Sequence, residues 1–154
     1  TAADAGPTTS PIVISVTDSL AITEVRQKVV DVSDDHAILF DASGEGGNII
    51  SYTDGTSEAG VDGGFVYLRN LTEGQATTAD IYIGHGAPSD FTSANGLEES
   101  GGAQTIRLMT LKPGEFSFFA WDLEQDLIAD SNAAADTVIY GALEAIFFIR
   151  TTSI

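Results

Sequence analysis

The chain contains no cysteine, and only six of its 154 residues are lysine or arginine, against 23 aspartates and glutamates. Without cysteine, disulfide bonds and zinc sites built on thiolates are excluded, so cysteine usage gives no evidence of the redox compartment. The formal net charge of −17 makes nucleic acid and anionic membrane surfaces poor direct partners, because binding to either needs clustered basic side chains. We therefore expect no direct contact with nucleic acid or membrane.

Long hydrophobic runs are also missing. No stretch approaches the ~18 apolar residues of a membrane-spanning helix, and residues 1–11 lack the basic start and apolar centre of a signal peptide. Even so, 43% of the residues are apolar and lie in short periodic segments, which is typical of a folded domain. We expect a single domain over residues 12–154, preceded by an extended N-terminal arm over residues 1–11.

The predicted arm is composed of small and polar residues with two prolines. Proline fixes φ and removes a backbone donor, which favours an extended segment that does not pack on itself. We therefore expect the arm to become ordered against a partner, with contacts from Pro7, Thr8, Thr9 and Pro11.

After the arm, apolar residues alternate with a period of two, which is typical of β-strands. Residues 64–71 are apolar on both faces, as in a central strand, whereas residues 41–64 and 85–103 are rich in loop-forming residues. No amphipathic helix of useful length is present. The pattern predicts an all-β fold, an antiparallel, jelly-roll-like β-sandwich with two long loops. Strands are predicted at residues 12–16, 24–32, 37–40, 64–71, 78–84, 105–111, 115–121, 127–128, 137–141 and 143–150.

Several connections carry turn chemistry. Residues 70–77 are expected to join the strands on either side of them as a hairpin. In Lys112-Pro113-Gly114, proline presets φ at the first corner and glycine accepts positive φ at the second, which predicts a type II turn. Residues 131–136 could hold one helical turn, and strands 137–141 and 143–150 are expected to form a closing pair.

No catalytic motif is present. His36 and His85 are the two side chains that ordinarily titrate near neutral pH, and a hydrolytic triad could use either of them. Neither histidine lies in a recognisable nucleophile elbow, and His36 follows two aspartates in a predicted turn. We therefore predict a non-enzymatic protein without a cofactor.

Calcium is possible but is not supported by a motif. Asp122, Glu124 and Asp126 have the spacing with which an EF-hand loop begins, but Leu127 stands where glycine is required and Ala133 where the bidentate glutamate is required. A second group of carboxylates lies in the first long loop, without a motif. Its members are Asp54, Glu58 and Asp62.

Aromatic residues leave a second possibility open. Tyr52, Tyr67, Tyr82 and Trp121 could stack on sugars, as in carbohydrate-binding sandwiches, although all but Tyr52 lie in strand patterns that favour packing in the protein. The pairs Phe118-Phe119 and Phe147-Phe148 place aromatic rings on both faces of their strands. We expect the second face to be covered by a sheet, a loop or another subunit.

Five segments carry a resemblance to a known class of proteins. The segments are GFVYLRNL, TADIYIG, IRLMTLKPGEFSFFAW, DLIA and LEAIFFIR. They are spread over residues 63–150 and resemble small β-sandwich virion proteins of tailed bacteriophages. The resemblance implies a structural role as a capsid decoration or cement protein, or as a tail or neck component. It also implies a homo-oligomer, contact with the major capsid protein, or both, in a virion assembled in the host cytoplasm. No catalytic residue is implied.

The acidic residues concentrate in the predicted turns and loops, so the loop surface should be strongly negative. In a capsid, such a surface favours a position on the outside of the head, because it would repel packaged DNA. A decoration protein on the outer head surface is therefore the predicted function, and a tail or neck component or a carbohydrate-binding module is the alternative.

Overall fold

The computed structural model describes residues 22, 24–33, 37–41, 50–51, 61–85, 106–121, 126–134 and 136–151. These residues form β-strands and turns without a helix, and hence none with the length and hydropathy needed to span a membrane. The strands are β1 (Glu24–Ser33), β2 (Ala37–Asp41), β3 (Ile50–Ser51), β4 (Val61–Asn70), β5 (Ile81–His85), β6 (Ile106–Leu111), β7 (Phe116–Trp121), β8 (Leu127–Ser131) and β9 (Val138–Thr151). The all-β prediction is confirmed. The predicted strand at residues 12–16 and the predicted arm, with Pro7, Thr8, Thr9 and Pro11, lie outside the described residues.

The strands form two sheets. A four-stranded sheet has the order β1-β9-β4-β7, and a five-stranded sheet has the order β3-β2-β8-β5-β6. Neighbouring strands are antiparallel, apart from the short parallel pair of β2 and β3. The strand β4 lies between β9 and β7, as its apolar residues on both faces predict.

Both sheets contribute to one hydrophobic core. Val66 and Phe147 come from the four-stranded sheet, and Phe40, Ile83 and Leu127 come from the five-stranded sheet, with each side chain at most 1% exposed. Alternation within a strand sends every second side chain into this core. The arrangement is compatible with a β-sandwich.

The connection between β4 and β5 differs from the prediction. Residues 70–77 were expected to form a hairpin, but β4 belongs to the four-stranded sheet and β5 to the five-stranded sheet. The same is true of β6 and β7, which flank the turn at Pro113. Turn residues specify a chain reversal, but they do not specify whether the next strand pairs alongside or crosses the core.

The buried side chain of Asn70 holds the β4–β5 crossing in place. Its Nδ2 donates to the carbonyl oxygens of Ala79, at 2.7 Å, and Leu111, at 2.8 Å. Its Oδ1 accepts from the backbone N–H of Thr72 at 2.9 Å and from the Thr72 hydroxyl at 2.7 Å. Both amide hydrogens and both acceptor positions of the side chain are therefore used, which is what a fully buried amide requires.

The predicted closing pair of strands is one strand, β9, with an irregularity near its start. Val30 lies opposite Leu143 and Val32 opposite Ile139, so β9 has extra residues at this point. Gly141 has φ +57° there, and its N–H donates to the Asp31 carboxylate at 2.6 Å. Glycine in this sequence therefore marks a bulge within one strand and does not end the strand.

Two other turn predictions have different outcomes. The type II turn is confirmed, because Gly114 has φ +82° and the Glu115 N–H donates to the Lys112 carbonyl at 2.9 Å. Near residues 131–136, the Thr137 N–H donates to the Ala134 carbonyl at 3.0 Å, which closes a turn. The described residues of this segment hold no helical turn.

Candidate interaction surface

The strand β1 shows how the four-stranded sheet presents its two faces. Val30 is buried in the core, whereas Val25 and Val29 are 55% and 50% exposed on the opposite face, as the alternation predicts. Arg26 and Lys28 lie on the core side of this edge strand, in register with core residues of β9. Charged side chains on the inner side of an edge strand discourage it from pairing with another strand.

A contact beside these residues affects one carboxyl group at the start of β1. The Arg26 Nε donates to Glu24 Oε1 at 2.5 Å. This hydrogen bond lowers the pKa of Glu24 below its ordinary value of 4.5, because it stabilises the charged carboxylate. Glu24 therefore stays charged to a lower pH than an isolated glutamate.

The strand registers define an outer face of the four-stranded sheet, directed away from the core. Three rows of side chains cross the four strands in the order β1, β9, β4 and β7. The rows are Val25, Phe148, Phe65 and Ala120; Gln27, Ile146, Tyr67 and Phe118; and Val29, Glu144, Arg69 and Phe116. We call these twelve residues the outer face; nine of them have apolar or aromatic side chains.

Several large apolar side chains of this face are open to solvent. Phe116 is 65% exposed and Phe118 is 49% exposed, in addition to Val25 and Val29. Beyond the third row, Tyr140 of β9 is 74% exposed. Exposed apolar residues are normal when they occur singly, but a contiguous group of this size is typical of an interaction site.

The aromatic rings of the outer face pack against one another. Phe65 and Phe118 stack with centroids 5.5 Å apart and an interplanar angle of 6°, and Tyr67 stacks on Phe116 at 5.8 Å. Phe118 also meets Phe148 edge-on at 6.1 Å. Because each ring is held by its neighbours, little side-chain entropy remains to be lost when a partner covers the surface.

The polar residues of the outer face carry no net charge. Arg69 of β4 lies opposite Glu144 of β9, and Glu144 accepts a hydrogen bond from Gln27 Nε2 at 2.9 Å. The face thus has one cationic, one anionic and one amide side chain, in a chain whose formal net charge is −17. It is an electrically neutral region of an acidic protein.

The other side of the molecule differs. Tyr82 and Ile128 form a cluster separate from the main core, and they are only 8% and 0% exposed. The Arg107 guanidinium lies 3.8 Å from the centroid of the Tyr82 ring, within the range of a cation–π contact. Among the residues that the structure describes, the exposed aromatic rings therefore belong to the four-stranded sheet.

Of the candidate catalytic and calcium-binding side chains, the structure describes those of His85 and Asp126. The ring of His85 contacts that of Trp121 at 6.3 Å, and Asp126 is buried, 4% exposed. Among the described residues, no three His, Asp or Glu side chains are grouped to hold a metal ion. The remaining candidates, His36, Asp122, Glu124, Asp54, Glu58 and the side chain of Asp62, lie outside the described residues.

Three of the four aromatic residues considered for sugar binding are described, and they lie on different surfaces. Tyr67 belongs to the outer face, Trp121 packs beside the core, and Tyr82 is buried on the far side of the five-stranded sheet. Tyr52 lies outside the described residues. Tyr67, Tyr82 and Trp121 therefore lie on different surfaces of the two sheets.

Comparisons of the chain with protein-family models, with curated proteins and with solved structures find no match. The outer face must therefore be interpreted from its own geometry. The sequence pattern did not predict this surface as a whole, although the double phenylalanines at 118–119 and 147–148 indicate aromatic rings on both faces of their strands. The second aromatic face was expected to be covered by a sheet, a loop or another subunit. In the single chain Phe118 of this face is half exposed, so of these three another subunit stays a prediction.

Proposed function

We propose that this protein is a non-enzymatic structural protein of a tailed-phage virion, a capsid decoration protein that acts by binding neighbouring subunits. The observation that carries the binding role is the exposed apolar outer face, with its stacked rings of Phe65 and Phe118. The virion context rests on the resemblance of residues 63–150 to virion β-sandwich proteins. A jelly-roll-like connectivity is part of the same proposal.

The physical argument for binding is the cost of leaving this face in water. Burial of apolar surface is worth about 25 cal/mol per Å². The half-exposed ring of Phe118 and the more exposed ring of Phe116 gain from this effect only when another surface covers them. A face whose rings are already packed in fixed positions is suited to a stable contact between subunits.

The argument for a position on the outside of the head is electrostatic. With a formal net charge of −17, the chain would be repelled from packaged nucleic acid. On the outer surface, the same charge is screened by the medium within about 8 Å at physiological ionic strength. The acidic composition therefore supports an exterior location for a structural subunit.

The proposed function can be tested on the source material. Particles are separated on a density gradient, and peptides of this chain are quantified by mass spectrometry against those of the major capsid protein in each fraction. We expect a constant stoichiometric ratio across the particle fractions. If the chain stays at the top of the gradient while intact particles sediment without it, the proposal is wrong.

A further inference from the structure

We propose that the outer face binds the outer face of a second copy of this chain, so that two copies form a two-fold symmetric dimer. This inference rests on the proposed function and names the partner at the same surface. The two four-stranded sheets would stack face to face, with the aromatic rows of each copy covered by those of the other.

The three most exposed rings supply about half of the area that each partner of a standard interface buries. Phe116, Phe118 and Tyr140 are 65%, 49% and 74% exposed, which leaves about 350–400 Å² of accessible surface if each whole ring contributes ~200 Å². The valines of β1 and the half-buried members of the outer face raise the total toward the ~800 Å² per partner of a standard interface. A covered area of this size exceeds what a small ligand would need.

The charges on the face favour a second copy over a basic partner. Glu144 is paired in register with Arg69 and accepts a hydrogen bond from Gln27, so the face presents no excess negative charge to a basic surface. In a two-fold interface, both copies use the same surface patch, so each copy contributes the same residues. Within the three rows of the outer face, one arginine and one glutamate from each copy then balance, with both signs present.

The β1 edge of the sheet disfavours a dimer that forms by strand addition there. Arg26 and Lys28 lie on the core side of β1, where they oppose the addition of a further strand at this edge. A second copy that approached along β1 would have to accommodate these cations beside its own backbone. Stacking on the outer face leaves both side chains where they are.

Sedimentation equilibrium of the purified full chain tests the inference. The test variant carries Phe116→Ser and Phe118→Ser, and the matched control carries Leu108→Ser, because Leu108 is 41% exposed on β6 of the other sheet. We expect a dimer for the natural chain and for the control, with equal dissociation constants within about twofold. We expect the double variant to raise the dissociation constant by about a hundredfold or more, since each substitution acts twice in a two-fold interface.

The salt dependence distinguishes a second copy from other occupants. Two chains with a net charge of −17 repel each other, so raising NaCl from about 0.05 M to about 0.5 M should strengthen a dimer of this chain. Weakening by salt over that range would contradict an apolar contact between two acidic copies. Circular dichroism checks that the variants are folded, and Tyr140→Ser is the second variant if the double substitution prevents folding.

Two outcomes overturn the inference. One is a chain that stays monomeric at every concentration and salt level, because the face is then covered by something other than a second copy. The other is a dimer that survives both Phe116→Ser/Phe118→Ser and Tyr140→Ser. A monomer that still sediments with particles overturns only the dimer, whereas a dimer that is absent from particles overturns only the virion role.

Discussion

Replacing Asn70 by alanine should be among the most damaging single changes in the protein, although Asn70 is polar. The side chain is fully buried and makes four hydrogen bonds. They join the end of β4 to Thr72, to Ala79 shortly before β5, and to Leu111 at the end of β6. Alanine removes all four and leaves the polar groups of the partners in a buried site. An unsatisfied buried group costs about 1–3 kcal/mol.

The expected magnitude follows from counting which groups can find another partner. The Thr72 hydroxyl already lies 3.1 Å from the Ala79 carbonyl and can donate to it instead. The Thr72 N–H loses its acceptor and the Leu111 carbonyl loses the amide donor, and both losses remain. We therefore expect Asn70→Ala to lower the free energy of unfolding by about 3–5 kcal/mol, a large fraction of the ~5–15 kcal/mol typical of a domain.

Urea denaturation can measure this loss, with fluorescence of Trp121 as the signal. Trp121 is the single tryptophan of the chain and packs beside the core, so its emission should report the unfolding of the sandwich. With a slope of about 2 kcal/mol per M, the transition midpoint should fall by about 1.5–2.5 M. Far-UV circular dichroism should give the same midpoint if unfolding is two-state.

Asn132→Ala is the matched control. Asn132 is exposed, and its Oδ1 accepts one hydrogen bond from the Asp80 N–H at 2.9 Å, a group that water can reach after the substitution. We expect this variant to lose about 1 kcal/mol or less. Equal losses for Asn70→Ala and Asn132→Ala would refute the reasoning, because the argument depends on the burial of the Asn70 partners.

Two further predictions concern a close backbone approach and an exposed ion pair. Gly64→Ala should lower the free energy of unfolding by at least about 2–3 kcal/mol in the same assay, since a Cβ there would lie 2.0 Å from the Phe148 carbonyl oxygen. Gly74→Ala is the control and should cost only about 1 kcal/mol, because Gly74 has open space around it and φ +74°. Similar losses for the two variants would contradict the steric account. The hydrogen bond to Asp80 raises the pKa of Lys112 above its ordinary 10.5, so this stabilisation is fully present at neutral pH and is lost as the pH rises through the higher folded value. The urea midpoint of the natural chain, measured as a function of pH, should therefore fall at alkaline pH, and Lys112→Met should remove this fall. If the curves of the variant and the natural chain are parallel, the Lys112–Asp80 ion pair does not contribute to stability.

The sequence predicted the fold class and many strands because both depend on local information. The alternation of Val25, Gln27 and Val29 with Val30 correctly assigns the two faces of β1. The type II turn at Gly114 follows from the demands of proline and glycine on φ. The sheet that each strand joins depends on contacts distant in sequence, so the crossing from β4 to β5 was mistaken for a hairpin. The bulge at Gly141 was mistaken for the end of a strand for the same reason.

The candidate surface was only partly predictable. The double phenylalanines indicate that aromatic rings occupy both faces of β7 and β9, but they do not show which face the second sheet covers. That depends on how the strands assemble, which places Phe118 on the open face and Phe147 in the core. Tyr67, Tyr82 and Trp121 are alike in residue type but lie on different surfaces, because their positions depend on strand neighbours that the sequence does not show.

The two ends of the sandwich are joined by different kinds of contact. At the Asn70 end, directional hydrogen bonds cross between the sheets and hold a narrow geometry. At the other end, the tilted rings of His85 and Trp121 meet at 6.3 Å, and such a contact tolerates sliding and rotation. The hydrogen bonds of Asn70 therefore fix the distance and angle between the two sheets more narrowly than the ring contact of His85 and Trp121 does.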